Sequence, residues 1–172
     1  LAPMALILTL GFDAPSFARL EPLRQRHFPP ARNFIPVHVT LFQQLPSDAI
    51  ARVLADLAAA AARHAPLPFA ATGIVDFGGG AAVALDCPPA RALHCDLRDA
   101  WRDMLSTSDD RARKLHATVQ NKVDRDTARA TQAQLRAGFT PWSGVFDALR
   151  LWHYRGGPWE DAGTFPFRGD SE

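Results

Sequence analysis

Two short runs in this sequence share one pattern. Val37-His38-Val39-Thr40-Leu41 and Leu115-His116-Ala117-Thr118-Val119 both read apolar-His-x-Thr-apolar. An unperturbed imidazole titrates at about 6.5, so at working pH it can take a proton or give one. Two imidazoles on opposite sides of one phosphorus would supply both roles. One would deprotonate the attacking water or hydroxyl, and the other would protonate the departing ribose oxygen. The Thr hydroxyls could donate to non-bridging phosphate oxygens, where charge shifts in the transition state. His38, Thr40, His116 and Thr118 would then carry phosphodiester transfer at a ribose 2′,3′ position without a metal.

That chemistry needs a rigid mount, and the local pattern offers one. Phe34 to Gln43 and Lys114 to Val123 read as strands. On a strand, residues i and i+2 share a face. Each His therefore lies beside its Thr, while Ile35, Val37, Val39 and Leu41, or Leu115, Ala117 and Val119, occupy the opposite, core-facing side. The elements around them follow from apolar runs and breakers. Strands are expected over 5–10, 69–77, 82–87, 146–154 and 162–168. Helices are expected from Asp13 to about His27, from Pro46 to about His64, from Pro88 to near Leu105, and from Asp124 to about Gly138. Gly78-Gly79-Gly80 and Gly156-Gly157-Pro158 are turns.

The two histidines lie 78 residues apart (116 − 38). At that offset the first three strands and two helices fall on their counterparts in the second half, although the residues are hardly alike. The expected fold class is α+β: one domain over residues 1–172, bilobal, with duplicated β-α-β-α-β units at about 5–78 and 81–168. Two antiparallel sheets would line a central cleft, with the two His-x-Thr strands facing across it.

Further candidates follow from the same alternation. Lys114, Gln120 and Lys122 fall on the His116 face, and Lys114 and Lys122 are the only lysines in the chain. A lysine there would concentrate anions and lower the pKa of a neighbouring histidine. Phe42 falls on the His38 face, where it could stack on a base. Arg24, Arg26 and His27 close the first helix ahead of Pro29-Pro30 and Arg32-Asn33, a candidate substrate rim represented by Arg26. Trp152, His153 and Tyr154 offer an aromatic platform, represented by Tyr154.

Bulk properties narrow the partners. The formal net charge is +1. Any anion site must be local, so an RNA 3′ end or a small cyclic nucleotide fits the chain as well as a long RNA does. Cys87 and Cys95 form no CxxC and read as reduced thiols. No apolar run suits a membrane span, and the N-terminus lacks a basic leader. The expectation is a cytoplasmic monomer with no protein partner and no cofactor. Leu1–Pro3 stand ahead of a candidate start at Met4.

The doubled motif, His38-Val-Thr-Leu and His116-Ala-Thr-Val, resembles the two-histidine phosphoesterase superfamily, in its 2′-5′ RNA ligase-like and cyclic phosphodiesterase branch. The order of elements is similar over about Ala5 to Phe167. The resemblance implies cleavage of 2′,3′-cyclic or related phosphodiesters, in some members reversible ligation of RNA ends, with no metal and often a 2′-phosphate product. It carries over only to His38, Thr40, His116 and Thr118. Two other classes compete with it: a non-catalytic binder of RNA ends in the same cleft, and a metal-dependent hydrolase. No HxH or HExxH supports the latter.

Overall fold

The computed structural model describes residues 4–169; Leu1–Pro3, ahead of the candidate start at Met4, lie outside them. Seven strands and four helices follow the chain order β1 (Ala5–Phe12), α1 (Ala14–His27), β2 (Val39–Leu45), α2 (Ile50–Arg63), β3 (Leu67–Asp76), β4 (Ala81–Asp86), α3 (Pro88–Ala100), β5 (His116–Gln120), α4 (Arg125–Gly138), β6 (Trp142–Tyr154) and β7 (Glu160–Pro166). The class is α+β, with every strand pair antiparallel.

Local chemistry explains the helix ends. The Asp13 carboxylate accepts from Ser16 N at 3.1 Å and caps α1. Asp124 does the same for α4 through Thr127 N at 2.8 Å. Each cap satisfies a donor that a helix start leaves unpaired. Prolines at the first turn of α1 and α3 supply a preset φ where no N–H is needed.

The strands follow the order β2-β1-β6-β3-β4-β5, with β7 on the other side of β6. The two expected sheets are halves of one sheet, joined by β6. Its first part, Trp142–Phe146, pairs with β3, and its remainder pairs with β1 and β7. The expectation began this strand at 146 and so missed the segment that joins the halves. Gly144 makes Trp142–Val145 read like a loop. It is glycine because a Cβ there would collide with the Ser16 hydroxyl and the Phe69 ring.

The last strand of each half pairs across to the other half. β3 lies against β4, and β6 lies against β1. One apolar core fills the helix side of both halves, with Leu6, Leu8 and Leu10 of β1, Val39 and Leu41 of β2, Val83 and Leu85 of β4, and Leu115 and Ala117 around β5. Full burial of a Leu or Val side chain contributes about 1.5–3 kcal/mol. That face therefore fixes the register of each strand and sends alternate residues to the opposite side.

Both motif strands are shorter than expected. β2 starts at Val39 because the Val37 N–H is taken by the Glu21 carboxylate, at 2.7 Å, instead of a neighbouring strand. β5 ends at Gln120, and Lys122 then turns with φ 64°. α3 stops at Ala100, short of the expected Leu105. Cys87 and Cys95 are free thiols. Among the described residues no helix is long and apolar enough to cross a membrane.

Candidate active site

His38 immediately precedes β2 and His116 opens β5, the strands at the two ends of the sheet path. Those ends come back together. His38, Thr118, Arg24 and Asn121 line one cavity of about 240 Å³, and the charge of His116 is felt at His38.

Both rings are held the same way. His38 Nδ1 lies 2.8 Å from the Pro36 carbonyl, and His116 Nδ1 lies 3.1 Å from the Lys114 carbonyl. A carbonyl only accepts, so each Nδ1 carries the hydrogen and each neutral ring leaves Nε2 as its free acceptor. Each ring also meets an aromatic: Trp159 at 5.1 Å between ring centres for His38, and Phe77 at 4.7 Å for His116.

Burial drives the His38 pKa down to about 4, with Arg24 and then His116 pushing the same way and the Pro36 bond opposing. His116 is lowered too, by burial first and by Arg113. Both imidazoles are thus neutral in the free protein near pH 7.

Thr40 and Thr118 share the faces of their histidines, both half-buried. Immediately after each Thr the strand bulges. Thr40 sits opposite Thr9 but Phe42 opposite Leu8, and Thr118 sits opposite Ala82 but Gln120 opposite Ala81. One extra residue, Leu41 or Val119, reverses the alternation beyond it. The bulges overturn two expectations. Phe42 turns into the core, where it is fully buried, stacks on His94 at 4.6 Å and meets Trp101 edge-on. Gln120 is buried as well and donates to Thr131 Oγ1 at 2.8 Å. Neither faces the histidines.

The other sequence candidates divide similarly. Lys114 holds His116 through its carbonyl and borders a cavity of about 620 Å³ with His116, Arg113 and Phe77. Lys122 sits exposed in the turn past β5. Arg26 points to a groove between α1 and α4, away from both histidines. Tyr154 packs against the small cluster of Ile7, Ile35 and Trp152. It lines none of the cavities that border the histidines.

Arg24, two residues before Arg26, is the arginine that α1 delivers to the site. It is 3% exposed. Its Nε donates to Asn33 Oδ1 at 3.0 Å and its Nη1 to the Thr118 carbonyl at 2.8 Å. Burial lowers its pKa to about 10, against the pull of Glu21. It remains a cation at neutral pH, beside His38 and bonded to the second motif. Helical phase could have separated Arg24 from Arg26, since Ser16, Leu20 and Arg24 form one buried stripe four residues apart. Trp159 gave no such signal, because it lies in the loop between β6 and β7. Among the described residues no group of three or more His, Cys, Asp or Glu side chains could hold a metal ion.

Comparison with known proteins fits this geometry. The family model of the 2′-5′ RNA ligase superfamily matches residues 12–158. The chain belongs to that superfamily. Membership places it among phosphoesterase and ligase enzymes. Solved structures share the fold at low identity. TT0787 of Thermus thermophilus is 17% identical with a TM-score of 0.67, over 97% of this chain and 100% of that one. Escherichia coli LigT, complexed with NADP+, is 18% identical with a TM-score of 0.58, over 96% and 98%. Kluyveromyces marxianus Usb1, with uridine monophosphate, is 11% identical with a TM-score of 0.51, over 95% and 98%. No curated protein matches the sequence.

Proposed function

We propose that this superfamily member is a metal-independent phosphodiesterase. It acts on 2′,3′-cyclic phosphates or 2′-5′ linkages at RNA or nucleotide ends, with His38 and His116 as its acid–base pair. The observation that carries this reading is the matched anchoring of the two rings, which leaves Nε2 free on each, with a buried arginine beside His38 bonded to the second motif at the Thr118 carbonyl. Relatives of the same fold have been crystallised with 3′-AMP and with uridine monophosphate.

On a 2′,3′-cyclic phosphate the steps balance simply. Water gives its proton to one Nε2 and its oxygen bonds phosphorus. The P–O3′ bond breaks, and O3′ takes a proton from the other, protonated ring, leaving a 2′-phosphate. His38, held lowest, is the base at neutral pH. His116 is the acid, protonated when the phosphate anion arrives beside it. Thr40 and Thr118 donate to the non-bridging oxygens. The same steps in reverse would join RNA ends, with the two roles exchanged.

The test is turnover of 2′,3′-cyclic AMP, and of a short RNA ending in a cyclic phosphate, in EDTA. The reading expects a 2′-phosphate product. Binding without turnover would make the chain an RNA-end binder. Activity lost in EDTA and restored by one metal would also defeat the reading.

A further inference from the structure

The His38 half of the cleft holds a second arginine that the acid–base scheme does not use. Cross-strand pairing sets Thr40, Thr9, Arg150 and Thr164 in one row over β2, β1, β6 and β7. Directly paired residues point to one side, so Arg150 shares the face of His38 and Thr40. The adjacent row, Gly11 and Ala148, carries almost no side chain. The space it leaves is a cavity of about 310 Å³ bordered by His38, Arg150, Trp152 and Asp147.

Arg150 is poised and unspent. Its guanidinium lies 4.2 Å over the Trp152 ring, and that ring is fixed by a 3.0 Å bond from Trp152 Nε1 to Thr9 Oγ1. Among the described residues it makes no ion pair, and its Nε is buried without a hydrogen-bond partner. Arg24 differs, since two protein acceptors hold it. A buried guanidinium N–H without an acceptor is costly, and its flat fork matches a phosphate. Asp147 also borders the cavity. Its carboxyl is pushed up by burial and by Asp13, towards the neutral form, and it does not pair with Arg150.

We infer that Arg150 forms an anion subsite beside His38 that holds a second phosphate of the substrate, distinct from the one undergoing transfer. The inference rests on the reading of His38 and His116 as the reacting pair. Strands lie about 4.8 Å apart, so two strand spacings separate the Arg150 backbone from Thr40. That separation suits a phosphate several bonds from the reacting one, on the 5′ side of the same nucleotide. The substrate class is then a 2′,3′-cyclic nucleotide bearing a 5′-phosphate, or the last nucleotide of an RNA whose 5′ phosphodiester takes the same place.

Calorimetry with product analogues tests this without requiring turnover. Adenosine 2′-monophosphate, adenosine 2′,5′-bisphosphate and a dinucleotide ending in a 2′-phosphate are titrated into wild type, Arg150→Met and Arg150→Lys. The readout is the ratio of Kd values between the first two ligands. Wild type should bind the bisphosphate about 10- to 100-fold more tightly, the scale of a charge-assisted pair. Arg150→Met should bring the ratio close to one, and Arg150→Lys should restore part of it. Tight binding of the dinucleotide would assign the subsite to RNA ends, and weak binding to 5′-phosphorylated mononucleotides. A wild-type ratio near one, or an unchanged ratio in a folded Arg150→Met protein, overturns the subsite. Failure of the acid–base reading would appear separately, as no turnover of 2′,3′-cyclic AMP.

Discussion

The His38 and His116 halves are built alike around the ring and unlike beyond it. Each histidine bonds the carbonyl two residues back, each Thr follows on the same face, and each strand bulges directly afterwards. Beyond that the halves part. The His38 side is walled by Arg24, Trp159, Trp152 and Arg150. Beside His116, the residues paired with the motif on β4 are Ala84 and Ala82, with Phe77 at the rim and a cavity of about 620 Å³. The shared parts are those that acid–base transfer needs, two rings of fixed tautomer. On the proposed reading the unshared parts would decide which ring is the poorer base and where substrate is gripped.

The largest effects should fall on the shared parts. His38→Ala and His116→Ala should each lower kcat by at least about 100-fold, the scale of general acid–base catalysis. Steady-state assays on 2′,3′-cyclic AMP check this, and near-normal rates in either variant would break the equivalence. Arg24→Met comes next. It removes charge-assisted bonds that tie α1 to Asn33 and to the second motif, each worth about 1.5–3 kcal/mol. A loss of about 10- to 100-fold in kcat/KM is expected, with a lower melting temperature. A melting loss with unchanged kcat/KM would limit Arg24 to a structural role.

Thr40→Val and Thr118→Val should cost less, about tenfold each, and by similar amounts if the halves share the phosphate oxygens evenly. Unequal losses in kcat would show which half holds the developing charge.

The last effect is on stability and leaves the comparison of rates aside. The unfolded His38 takes its proton near 6.5, while the folded group waits until about 4. Between those values the unfolded state binds more protons, so stability falls as the pH drops from about 6.5 to about 4 and levels off below. Thermal melts of His38→Ala over that range should depend less steeply on pH than those of wild type.

Much of this was legible in the sequence because strand periodicity is strict. The motif faces, all four helices and the α+β class followed from alternation, caps and breakers. The limits of legibility were equally physical. Simple alternation puts Phe42 and Gln120 on the histidine faces, but a bulged residue reverses it, and a bulge leaves no mark in a run such as Thr40-Leu41-Phe42. The basic end of α1 points to Arg24, Arg26 and His27 alike, and only helical phase separates Arg24, on the buried stripe with Ser16 and Leu20, from Arg26. Trp159 and Arg150 reach the site through pairing of β6 with β1 and β7, which no local pattern encodes. The exchange of β3 and β6 between halves is non-local in the same way.

The central claim is that two separate strands present their imidazoles to one phosphate. Two-dimensional NMR of 15N-histidine protein, titrated with inorganic phosphate near pH 6.5, tests it most directly. His38 and His116 should respond together, with one saturation curve and one stoichiometric equivalent. Both pKa values should also rise as the anion binds between the rings. Response of a single histidine, or two curves with separate midpoints, would contradict that claim.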